Sequence, residues 1–101
     1  MEVKLKTNGN ELIAELLGEL DHHSAENVRN VIDEVIKHKE FDRLIIDMSR
    51  VSFMDSSGLG VLLGRYKLIS AEGKNMSITG ASRSVDRILR MSGVYSVIGK
   101  V

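Results

Sequence analysis

Polar and apolar residues alternate from the first residues of the chain. Val3, Leu5 and Thr7 are interleaved with Glu2, Lys4 and Lys6, which predicts a short strand with one face inward. Asn8-Gly9-Asn10 then reads as a tight hairpin, because Asn and Gly tolerate positive φ. The return strand spans Leu12 to Leu20 and grows more apolar along its length. Gly18 within it marks a bulge or a close backbone approach. The period then changes. Ala25, Val28, Ile32, Val35 and Ile36, with Val31 beside them, recur at helical spacing. Asp21 or Ser24 caps the start of that helix, and Lys37, His38 and Lys39 suit its negative end. Arg43 to Met48, around the run Leu44-Ile45-Ile46, predicts a central strand followed by a loop through Asp47, Ser49 and Arg50. A second helix is predicted from about Ser57 to Ala71, with Leu59, Leu62, Leu63, Tyr66 and Ile69 in register and Gly73 as its C′ residue. Asn75 to Thr79 is a fourth strand. Val85, Ile88 and Leu89 mark a third helix that Gly93 ends, and Tyr95 to Val101 reads as a last strand.

The order β-β-α-β-α-β-α-β implies an α/β fold over residues 1–101, read as one domain. Its mixed sheet opens on an N-terminal hairpin and carries packed helices. The later strands are expected to run parallel through right-handed crossovers. No internal repeat, linker or low-complexity segment interrupts the pattern.

Composition narrows the function classes. Fourteen Lys and Arg balance fourteen Asp and Glu, so the formal charge is zero. That speaks against nucleic acid as the main partner, because phosphate backbones demand a net basic face. No Cys is present, which removes disulfides, thiolate metal sites and Cys nucleophiles together. With two Tyr, two Phe and no Trp, base stacking is not the main activity. The N-terminus lacks an apolar signal core, and no apolar run approaches the ~20 residues of a membrane span. A cytoplasmic location is the expectation.

The chemistry-bearing residues sit at two polar junctions between strand and helix. The first is Phe53-Met54-Asp55-Ser56-Ser57-Gly58-Leu59-Gly60-Val61-Leu62-Leu63-Gly64. Ser56 and Ser57 are both suited to N-capping, and they lie at the positive end of the helix dipole, where an anion is favoured. Such a turn holds a phosphate either as ligand or on one of its own serines. Ser56, Gly60 and Gly64 are spaced by four and share one helix face. That small-residue stripe either packs closely on the chain's own sheet or forms an exposed surface shaped for a partner. Leu59, Leu62 and Leu63 face elsewhere and are expected to supply the core. Gly58-Leu59-Gly60 falls short of a dinucleotide fingerprint, since the third Gly comes one position late. A hydrolase elbow fails as well, because Met54 and Asp55 stand where Gly is required.

The second junction is Asp21-His22-His23-Ser24. Asp-His-His occurs in metal-dependent phosphoesterase centres, yet the only other His, His38, falls on a helix end. The plainer reading is a polar junction with a helix cap. Both junctions follow the C-terminal ends of strands, where α/β sheets place their sites, so Asp21 is expected to adjoin and shape the Ser56 turn.

Gly18-Glu19-Leu20-Asp21-His22-His23-Ser24-Ala25-Glu26 and Ser52-Phe53-Met54-Asp55-Ser56-Ser57-Gly58-Leu59-Gly60-Val61 resemble the two signature stretches of the sporulation anti-sigma-F factor antagonists, which are small STAS domains. Gly64-Arg65-Tyr66-Lys67 and Met91-Ser92-Gly93 extend the likeness over nearly the whole chain. The resemblance implies a partner-switching regulator of transcription without catalytic residues, metal or cofactor of its own. In that family the unphosphorylated antagonist binds an anti-sigma factor, which is also a serine kinase with a bound adenine nucleotide, and sigma factor is released. The kinase modifies the serine after the motif aspartate, here Ser56, and a serine phosphatase restores the active form. Asp21, Asp55, Ser57, Gly58, Gly60 and Gly64 are the matching switch-surface positions. Direct DNA or membrane binding is not implied. Members usually continue into a C-terminal helix; this chain stops at Val101, so that helix is either trimmed or absent. Two other classes remain open on the residues alone: a phosphotransfer or phosphoesterase protein using His22 or His23, and a domain sensing a nucleotide near Asp21 and Ser56.

Overall fold

The computed structural model describes residues 1–101. Its strands are β1 (Glu2–Asn8), β2 (Glu11–Leu20), β3 (Arg43–Met54), β4 (Asn75–Thr79) and β5 (Gly99–Lys100), and its helices are α1 (Ala25–His38), α2 (Ser56–Ser70) and α3 (Arg83–Ser92). They form one five-stranded sheet in the order β1-β2-β3-β4-β5. Only the β1–β2 hairpin is antiparallel; the other neighbours run parallel. Strand order thus follows chain order. Right-handed crossovers taken in one direction put all three helices on the same face of such a sheet.

The burial pattern agrees. Leu12, Ala14 and Leu16 of β2, Leu44, Ile46 and Met48 of β3, and Met76 and Ile78 of β4 are buried. They meet Val28 and Ile32 of α1, Leu62 and Ile69 of α2, and Val85 and Leu89 of α3 in one core. On the opposite face, Ile13, Ile45 and Ser77 stand in register across β2, β3 and β4, and Ile13 and Ile45 are only half-buried.

Four expectations are corrected. β1 forms, but as an edge strand of little burial: Leu5 is 38% exposed and Thr7 is exposed as well. β3 does not stop at Met48. It continues to Met54 by pairing with the second half of β2, Gly18 with Val51 and Leu20 with Met54. Bulges break the alternation there, so Met48, Val51 and Met54 are buried at intervals of three. A loop was the natural reading of that spacing. In α2, Leu62 is fully buried, but Leu63 is 37% exposed and Leu59 only half-buried. The buried stripe runs instead through Gly58, Val61, Leu62, Arg65 and Ile69. The last strand is reduced to Gly99–Lys100, because Val94–Ser96 wind into a 3₁₀ turn.

Gly18 occupies φ +114 at a register shift, a conformation that favours Gly, as its position in the strand predicts. Gly93 closes α3 in the left-handed region at φ 83.

Candidate functional site

Asp55 is the true N-cap of α2. Its Oδ1 accepts the backbone N–H of Ser57 at 2.8 Å and of Gly58 at 3.4 Å. Neither Ser56 nor Ser57 caps: they are the first two residues of the helix. The carboxylate outcompetes the hydroxyls because a charged acceptor at the positive helix end gains from the dipole as well as from the hydrogen bonds. The expected N-cap role of Ser57 is therefore corrected, and the expected start of the helix moves one residue earlier.

Asp55 also joins the two polar junctions. Its Oδ2 accepts the backbone N–H of His22 at 3.3 Å, and its own N–H donates to the carbonyl of Leu20 at 3.4 Å. Asp21 lies beside this tie, as the strand ends predict. Asp21 Oδ1 accepts the N–H groups of His23 at 2.9 Å and Ser24 at 3.1 Å. These bonds hold its carboxyl below the usual range, the Ser24 amide contributing most. Ser24 stands at the N-cap of α1, but its hydroxyl turns back, accepting from Asp21 N–H at 3.0 Å and donating to the Glu19 carbonyl at 2.7 Å. Asp21 thus shapes the loop, and no side chain caps the α1 amides.

His22 and His23 are exposed, with ring centroids 5.7 Å apart and edge-on. His38 pairs with Glu34 at 3.0 Å on the exposed face of α1. No group of three His, Asp or Glu side chains converges anywhere in the chain.

The glycines of α2 divide sharply. A Cβ on Gly58 would sit 2.6 Å from Met54 Cγ and 2.9 Å from both Leu20 Cγ and the Leu20 carbonyl. Gly58 is the point where the helix is pressed onto the ends of β2 and β3. A Cβ on Gly60 or Gly64 would meet nothing within 4 Å. Of the two readings of the small-residue stripe, packing on the chain's own sheet is therefore excluded. Ser56 and Gly60 are exposed and Gly64 is half-buried, so the stripe is a shallow, uncovered strip of helix surface.

Residues 2–101 match the model of the STAS domain. The chain is a member of the STAS domain family. Within that family it is 39% identical over 98 residues to the anti-sigma F factor antagonist of Paenibacillus polymyxa, covering 97% of this chain and 84% of the relative. The anti-sigma-B factor antagonist of Bacillus subtilis is 30% identical over 98 residues, covering 97% and 88%. The solved anti-sigma factor antagonist SpoIIAA in its unphosphorylated form superposes with a TM-score of 0.83 at 30% identity, covering 99% of this chain and 88% of that one. The phosphorylated form of SpoIIAA, described as a Bacillus cell fate determinant, superposes at 0.75 with 29% identity, over 99% and 91%. The STAS sheet and helices described above are thus shared with an antagonist known in two phosphorylation states. No helix of this STAS chain is long and apolar enough to cross a membrane.

One residue of the site was not anticipated. Arg65 is buried in the contact of α2 with α1, its Nε 2.7 Å from Asp33 Oδ1. Its spacing of four from Val61 and from Ile69 was the available signal, since it places Arg65 within the buried stripe.

Proposed function

We propose that this chain is an anti-sigma factor antagonist, switched by phosphorylation of Ser56. The observation that carries the reading is the uncovered strip Ser56, Gly60 and Gly64, anchored below by the close approach of Gly58. A partner backbone can approach there without displacing a side chain. The proposed partners are an anti-sigma factor that is also a serine kinase with bound adenine nucleotide, and a serine phosphatase.

The geometry gives each residue a part. Ser56 is exposed at the first position of α2, so its hydroxyl is open to an external kinase. Its Oγ attacks the γ-phosphorus of ATP held by the kinase; the bond to the ADP oxygen breaks, and the hydroxyl proton passes to a base of the kinase. Asp55 is not that base in this reading. Its two oxygens already accept three backbone N–H groups, so it positions the serine instead. The phosphate adds about −1.5 to −2 charges at neutral pH. The positive end of the helix dipole favours it, while Asp55 opposes it, so the domain refolds little. A docked partner suffers more. Burying that charge without a paired cation costs several kcal/mol, and each ~1.4 kcal/mol is tenfold in affinity. His22 and His23 have no catalytic part in this reading.

The test is incubation with the cognate anti-sigma factor and ATP, followed by phosphopeptide mapping and a binding assay of both forms. Phosphate on Ser56 with loss of binding is the expected result; phosphate elsewhere, or undiminished binding, overturns the reading.

A further inference from the structure

Between α1 and α2 lies an open cleft of about 380 Å³ lined by Ala25, Arg29, Ser57, Gly60, Val61 and Arg65. Two of these residues carry guanidinium groups and none carries a carboxylate. Arg65 is only 7% exposed. Its one charge partner is Asp33, and its Nη1 is enclosed without any hydrogen-bond partner. Asp33 and Arg65 Nε meet as charges at 2.7 Å rather than through an aligned hydrogen bond. A guanidinium offers five N–H donors in a planar fork, so most of this one is unused, and an unused buried donor is unfavourable. Burial, and secondarily the positive charge of Arg29, lowers the Arg65 pKa against the pull of Asp33. The lining of the cleft thus brings two positive charges and no negative one, Asp33 pairing with Arg65 from outside the lining.

We propose that the cleft receives a carboxylate side chain of the anti-sigma factor, held between Arg29 and Arg65. The inference rests on the partner reading above and deepens it. Three observations favour an acidic group. Asp33 already demonstrates that this guanidinium takes a carboxylate, and the exposed Arg29 beside it has no ion-pair partner of its own. Ser57 and Gly60 line the cleft and also belong to the open end of α2, so the cleft continues the docking strip. Finally, Ser56 adjoins Ser57 in the chain. A phosphate on Ser56 repels an incoming carboxylate there, whereas it would attract a basic anchor. The acidic anchor thus supplies a means by which phosphorylation of Ser56 releases the partner in the proposed switch.

The experiment is a calorimetric titration of the purified cognate anti-sigma factor, loaded with ADP, into four variants of the chain beside the parent. Arg29 is exposed, so its replacement leaves the fold intact. Arg29→Glu places a competing carboxylate in the cleft and is expected to weaken binding at least about tenfold, or ~1.4 kcal/mol. Arg29→Lys keeps the charge and is expected to stay within about threefold of the parent, which is under ~0.7 kcal/mol. Parent binding is expected to weaken with added salt, and Arg29→Glu to lose that dependence. Lys4→Glu makes the same change of net charge on the edge strand and is expected to bind as the parent does. An equal loss in Lys4→Glu, or parent-like binding by Arg29→Glu while Ser56→Asp fails to bind, overturns the acidic anchor alone. Tight binding by Ser56→Asp overturns the switch reading and this inference with it.

Discussion

The carboxylate of Asp55 reaches across 33 residues of chain to accept the main-chain N–H of His22 at 3.3 Å. The same side chain caps α2 through Ser57 and Gly58. Loss of a cap costs ~1 kcal/mol, within a range of about 0.5–2, and loss of the cross-junction bond adds to it. Asp55→Ala is therefore expected to lose about 1–2 kcal/mol. Thermal unfolding checks this, at about 4–8 °C per kcal/mol for a domain of this size. An unchanged melting temperature would mean that the tie carries no weight.

Substitution of the α2 glycines separates folding from docking. Gly58→Ala drives a methyl toward the Leu20 carbonyl, 2.9 Å away. A backbone oxygen cannot swing aside, so overpacking of about 1–3 kcal/mol is expected. Gly60→Ala meets open space and is expected to stabilise by up to ~1 kcal/mol, the helix-propensity difference. Gly60→Leu should fold normally yet bind the anti-sigma factor poorly. Denaturant melts and a pull-down, run on the same preparations, check all three; a Gly58→Ala protein as stable as the parent would contradict the close approach.

The two serines are distinguishable. Ser56→Ala is expected to bind the kinase but take no phosphate, and Ser56→Asp to fold and bind weakly. Ser57→Ala removes a hydroxyl that makes no capping bond and is expected to lose less than ~0.5 kcal/mol and to remain a substrate. Replacement of His22 and His23 together by Asn should leave phosphate incorporation at Ser56 largely intact. Radiolabel counting on the purified variants reads each result, and complete loss in a folded double His variant would restore a role for imidazole.

Stability is expected to fall at both ends of the pH scale through one cluster. Asp86 accepts from Tyr95 Oη at 2.7 Å, Arg90 Nη2 at 2.8 Å and Lys100 Nζ at 3.0 Å. These partners, Tyr95 foremost, hold the Asp86 carboxyl well below its ordinary value of 3.8. A lowered acid stabilises the fold above its ordinary pKa, and that contribution is lost as pH falls toward the folded value. Burial, then Asp86, pushes the Tyr95 hydroxyl well above its ordinary 10.0. A raised phenol stabilises below its ordinary pKa, and the contribution is lost as pH rises through and beyond 10.0. Urea midpoints across pH check both limbs, and Tyr95→Phe is expected to remove the alkaline one.

Much of this architecture was legible because the β1–β2 alternation and the α1 and α3 stripes are simple periods. Where the structure departs, a nonlocal contact decides. The extension of β3 to Met54 depends on pairing with β2 across bulges, which no local window contains. At the start of α2, three successive residues are competent caps, and the choice of Asp55 is fixed by His22 and the helix dipole together. The burial of Arg65 is not legible locally, because a charge is ordinarily placed outside and its pairing depends on Asp33 of another helix. The last strand is shorter than its apolar pattern predicts because Tyr95 serves Asp86 rather than the sheet.

The coincidence of strand order with chain order bears on how the chain acquires its structure. Each strand pairs with the one made just before it, so every new element closes only a short loop onto a finished edge. The hairpin, α1 and β3 complete a unit before α2 is synthesised. The helix bearing Ser56 then settles on a platform already built, and the short β5 is the last piece added. On this order, a ribosome-bound chain ending after Thr79 should already present Ser56 in its folded setting.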